Sequence, residues 1–86
     1  MPEISRFFGI VIRMFYDEHP PPHIHAEYQG KKAVFDFYGN VTKGSLSSRT
    51  ATRLVREWID LHGDELEADW ALAESGRQVN RVAPLE

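Results

Sequence analysis

Three histidines fall within the segment His19-Pro20-Pro21-Pro22-His23-Ile24-His25, just ahead of a stretch that alternates apolar and polar side chains. Imidazole binds transition metals and exchanges protons near neutral pH, so this is where the chain would place chemistry. In an extended strand, alternate residues share a face. His23, His25 and Glu27 then point one way, and Ile24, Ala26 and Tyr28 the other. Residues two apart are separated by about 6.6 Å, close enough for two imidazoles to reach one ion, whereas His23 and Glu27 stand about 13 Å apart on a straight strand. His19 lies about 12 Å from His23 if the prolines run extended, and joins a site only if they turn.

Hairpin register adds further groups to that face. With Gln29-Gly30 as the turn, His23 faces Asp36 and Glu27 faces Lys32; with Gly30-Lys31 as the turn, His25 faces Asp36 instead. Across a two-residue Gly39-Asn40 turn, Asp36 pairs opposite Lys43. Three readings stay open. The first is a solvent-facing sheet surface carrying complementary charges, Glu27 with Lys32 and Asp36 with Lys43, and no cofactor. The second is a divalent transition-metal site with His23 and His25 as ligands and Asp36 or Glu27 as the carboxylate, a donor set suited to zinc, iron or manganese. The third is acid–base chemistry on a phosphodiester, with His23 and His25 as acid and base beside Asp36, and Lys32 or Lys43 steadying the phosphate.

The elements that must hold these residues can be read from periodicity. A first strand is expected over residues 7–16, with Phe8, Ile10, Ile12, Met14 and Tyr16 on one face and Phe7, Val11 and Phe15 on the other. Strands over 23–28, 32–38 and 41–46 follow, separated by Gly30 and by Gly39-Asn40. The period then becomes helical. Ser47 or Ser48 is the expected N-cap, with Ala51, Leu54, Val55, Trp58, Ile59 and His62 as the apolar-leaning stripe. Gly63 suits a left-handed C-cap, and Asp64 with Glu67 reads as a capping box for a second helix that buries Leu66, Trp70 and Ala73 and ends at Ser75-Gly76. In the tail, Val79, Val82 and Leu85 are expected to dock on the core. The expected fold is α+β: a three- to four-stranded antiparallel meander followed by two C-terminal helices packed on one face, all within one domain spanning residues 1–86.

Composition narrows the function classes. The chain has no cysteine, which excludes disulfides and thiolate metal sites and fits a reducing cytoplasm. Its start, Met1-Pro2-Glu3, lacks the basic and apolar runs of a signal peptide, and no segment has the length of a membrane span. The net charge of −3 argues against a generic nucleic-acid binder, although residues 1–56 hold eight Lys/Arg against five Asp/Glu. The remaining residues hold two against eight. Arg49, Arg53 and Arg56 share one helical side near the Ser47-Ser48 cap, an arrangement read first as a solvated face and second as a phosphate-contacting stripe. Trp58 and Trp70 are core anchors, and no Walker, dinucleotide-binding or zincin motif is present.

Three segments together, MPEISRFFGIVIRMFY, PPHIHAEYQGKKAVFDF and RLVREWIDLHGDELEADW, resemble the small bacterial family of domain of unknown function 4160. The similarity runs from Pro2 through Trp70 and towards Leu85. It implies a short stand-alone protein of unsettled activity. It further implies a cytoplasmic component of a toxin–antitoxin-like pair that binds a small protein encoded nearby. RNA is the candidate substrate if the chain is the toxin, and a homo-oligomer is a further expectation. The family's Pro-Pro-His-x-His-x-Glu segment falls on Pro21, Pro22, His23, His25 and Glu27.

Overall fold

Strand β3, His23–Tyr28, lies at the centre of a five-stranded antiparallel sheet in the order β1-β2-β3-β4-β5. The computed structural model describes residues 2–16 and 18–86; Met1, part of the signal-peptide reading above, lies outside them. The other strands are β1 (Glu3–Phe7), β2 (Ile10–Arg13), β4 (Lys31–Asp36) and β5 (Val41–Gly44). Two helices follow, α1 (Arg49–Leu61) and α2 (Gly63–Glu74), so the class is α+β as expected, with five strands rather than three or four.

The extra strand comes from a hairpin inside the segment read as one strand. Phe8 and Gly9 take φ of 50° and 80°, the two positive values that a tight primed turn requires, and the chain reverses so that Phe7 pairs with Ile10. Gln29-Gly30 makes the same kind of turn with φ of 49° and 78°. This fixes the register in which His23 faces Asp36 and Glu27 faces Lys32. The turn between β4 and β5 is longer than the expected dipeptide, spanning residues 37–40, and a bulge between Val34 and Phe35 shifts the pairing. Lys43 therefore sits opposite Val34 and not opposite Asp36.

The sheet's inner face supplies Ile4, Phe7, Ile10, Ile12, Ile24, Ala26, Ala33 and Phe35 to one buried cluster. Both helices contribute to it, α1 through Ala51, Val55, Trp58 and Ile59 and α2 through Leu66, Trp70 and Ala73. Burying each large side chain contributes about 1.5–3 kcal/mol, which a chain this short needs. Ser48 caps α1 by accepting a hydrogen bond from the Ala51 amide at 3.0 Å. Between the helices only His62 intervenes. It ends α1 and opens α2, so Gly63 is the first residue of α2 rather than a left-handed cap, and His62 bonds Glu65 in place of the Asp64–Glu67 box. Gly76, at φ 73°, closes α2: its amide and that of Arg77 bond the carbonyls of Ala73 and Leu72. The tail docks as expected. Val79 and Val82 are buried, the Val82 amide bonds the Ile4 carbonyl on β1, and Trp58 Nε1 donates to the Ala83 carbonyl at 2.8 Å.

Candidate metal centre

Alternation along β3 sends Ile24 and Ala26 into the core and leaves His23, His25 and Glu27 half-buried on the opposite, helix-free face. The neighbouring strands complete that face. Arg13 of β2 and Val34 of β4 flank His25, and Val11 and Lys32 flank Glu27. The loop after β2 folds back over the start of β3 and brings Glu18 onto the two histidines.

Glu18 Oε1 accepts a hydrogen bond from His25 Nε2 at 2.6 Å and lies 3.5 Å from His23 Nε2. On its far side, the His23 ring is held by Pro21: a carbonyl only accepts, so Nδ1 carries the proton that bonds the Pro21 oxygen at 2.9 Å. The neutral His23 ring then aims the lone pair of Nε2 at a carboxylate that can only accept. A cation between them, a proton or a metal ion, resolves that opposition. One donor atom from each of Glu18, His23 and His25 lies within 4.8 Å of the others. Ligands on a tetrahedral ion at about 2.1 Å stand about 3.4 Å apart, so a small inward movement closes the shell. The His23–Pro21 bond is the outer-shell support that orients a metal-binding imidazole and fixes its tautomer. The ring of His25 is set by an edge contact with Phe15 at 4.5 Å between centroids, and that of His23 by Trp70 of α2 at 5.2 Å.

Burial pushes the Glu18 carboxyl up, but the hydrogen bond and charge of His25, followed by those of His23, outweigh it and hold Glu18 below its ordinary range. The other two acids proposed for the site are engaged elsewhere. Glu27 Oε1 accepts from Arg13 Nη1 at 2.8 Å, which keeps its carboxyl low. Asp36 stands opposite His23, yet its oxygens are taken by its own turn: Oδ1 accepts from the Tyr38 and Asn40 amides at 2.9 Å each, and Oδ2 from Asn40 Nδ2 at 3.1 Å. Burial pushes the Asp36 carboxyl up and these turn bonds more than offset it. The histidines thus converge with Glu18, and not with Asp36 or Glu27. His19 is exposed on the loop, while Lys32 and Lys43 are exposed on either side of Val34. The triad opens onto a shallow cavity of about 380 Å³ bordered by Pro21, Thr42 and Lys43.

The family model described as domain of unknown function (DUF4160) matches residues 9–71. The chain belongs to that family. In this member of domain of unknown function 4160 the match opens at Gly9 of the first hairpin, includes all three converging residues and stops within α2, while β1 and the docked tail fall outside it. No curated protein and no solved structure matches the chain. None of the helices among the described residues is long and apolar enough to cross a membrane.

Proposed function

We propose that the domain is a metal-binding module whose divalent transition ion is held by Glu18, His23 and His25. The convergence of one carboxylate oxygen and two imidazole nitrogens within 4.8 Å carries this reading. Two imidazoles and a carboxylate form the donor set of catalytic zinc sites and of facial-triad iron sites, both of which keep positions open for water or substrate. The open side faces the cavity that Lys43 borders. Metal analysis of untagged protein purified from its own host tests the reading. One equivalent of zinc, iron or manganese per chain is expected, and its loss in a His23→Ala/His25→Ala double variant. Metal-free native protein that also fails to take up any of the three ions contradicts it.

The family resemblance adds a second reading, a cytoplasmic component of a toxin–antitoxin-like pair. Its support in the structure is β5, a short edge strand whose residues are all exposed, next to Tyr38 at 86% exposure. Such an edge can accept a strand from a partner protein. Co-purification with the product of the adjacent gene that survives the double histidine substitution supports partner binding. If the chain is the toxin, ribonuclease action is expected, and growth arrest disappears on His23→Ala or His25→Ala.

A further inference from the structure

Lys32 and Lys43 both neighbour Val34, one two residues before it on β4 and the other opposite it on β5. His25 pairs with the same valine from the other side. The three polar residues consequently surround one small apolar patch and line a cavity of about 280 Å³ whose floor is Ala33 and Val34. Gly44 holds the two lysine-bearing segments together. It has φ of 74°, and a Cβ there would lie 2.4 Å from the Lys32 carbonyl oxygen, so the β5 backbone rests directly on β4. Among the described residues neither lysine has a carboxylate within ion-pair distance. The carboxylates that could have neutralised them are drawn away, Glu27 to Arg13 and Asp36 to its turn. Lysines on a sheet edge discourage edge-to-edge pairing, which accounts for Lys43 on β5. That explanation leaves Lys32 open, because β4 is an interior strand.

We propose that Lys32 and Lys43 form an oxyanion subsite beside the Glu18–His23–His25 centre, and that the ligand class is a phosphate group, free or as an ester. The proposal rests on the metal reading for its chemistry. A divalent ion on one carboxylate and two neutral imidazoles leaves net positive charge, and two lysines next to His25 extend that charge over a pocket of phosphate size. A phosphoryl oxygen can then face the ion while the others meet the ammonium groups, which is how bound metals and lysines share a phosphate.

The test is a two-part titration of the intact chain followed by amide resonances. Inorganic phosphate is added first to the metal-free protein and then to protein carrying one equivalent of Zn²⁺. Shifts centred on Lys32, Val34 and Lys43 are expected in both, with tighter binding in the zinc form. Lys32→Ala/Lys43→Ala should weaken phosphate binding about tenfold, since each exposed charge contact is worth about 0.2–1 kcal/mol and 1.4 kcal/mol is tenfold. The same variant should keep its Zn²⁺ affinity within about threefold, because neither lysine is a ligand. Displacement by a nucleoside 5′-monophosphate but not a dinucleotide assigns a monoester, and the reverse assigns a diester. Unchanged phosphate affinity in the double lysine variant, or shifts centred on the Arg49–Arg53 side of α1, overturns the proposal. Failure of Zn²⁺ to bind the native chain removes the metal centre alone, and the metal-free titration still decides the lysine subsite.

Discussion

The two faces of β3 use the same backbone for different ends. Inward, Ile24 is completely buried and Ala26 nearly so, against a cluster in which Phe35, Trp58 and Ile12 also have no exposed surface. Outward, one residue away, His23 and His25 are half-buried, hydrogen-bonded to a loop and open to a cavity. The inner face is redundant: many apolar contacts share the work, and chemistry of the individual side chains matters less than volume. The outer face is specific, with each polar atom bound to a named partner. The lesson is that a strand with a strong inner face can carry an outer face selected for something besides stability.

Adjacent residues of β4 test this division most sharply. Phe35 points inward with no exposure and Val34 outward. Phe35→Ala should cost about 3–5 kcal/mol of unfolding free energy in urea, while Val34→Ala should cost less than about 1 kcal/mol. Equal costs would mean that the outer face is also core. Gly44→Ala is next. The positive φ and the clash with the Lys32 carbonyl should cost about 1–3 kcal/mol and loosen the cavity beside His25, visible as faster amide exchange at Lys32 and Lys43. Native-like stability in that variant would show that β5 does not hold the outer face.

The smallest effects are in pH dependence, and the two faces should differ in sign. Asp69 of α2 is 2% exposed; burial pushes its carboxyl up from the ordinary 3.8, a bond from the Asn80 amide lowers it in part, and the charge of Glu65 raises it again. A raised native value means that its contribution is complete below the unfolded pKa and is lost as pH rises through the native one. On the outer face, Arg13 depresses Glu27 below its ordinary 4.5, so that contribution is present above 4.5 and is lost as pH falls through the depressed value. Relative to Asp69→Asn, the native chain should therefore gain stability between about pH 7 and pH 4; relative to Glu27→Gln, it should lose stability below about pH 4.5. Parallel urea midpoints across that range in both comparisons would contradict the assignment.

Much of this was legible in the chain because period-2 alternation and turn chemistry acted alone. Ile24 and Ala26 against His23 and His25 is such a case, and Gln29-Gly30 gave the observed register. The parts that escaped involve a break in period or a long return. In β1 a bulge between Glu3 and Ser5 buries Ile4 and Ser5 consecutively, so the strand does not alternate, and Phe8 reads as apolar although it sits at the turn with 60% exposure. The Val34–Phe35 bulge likewise moved Lys43 away from Asp36. Glu18 was missed for a different reason. It lies seven residues before His25 across three prolines, and only the path of the folded loop shows that the two meet.

The most direct test of the metal centre is a calorimetric Zn²⁺ titration of the native chain beside Glu18→Ala and Asp36→Ala. The account predicts one site per native chain, affinity lowered at least about tenfold in Glu18→Ala, and affinity unchanged in Asp36→Ala, since a carboxylate ligand counts for far more than a turn residue. Loss of binding in Asp36→Ala with Glu18→Ala unaffected, or no saturable site in the native chain, would contradict it.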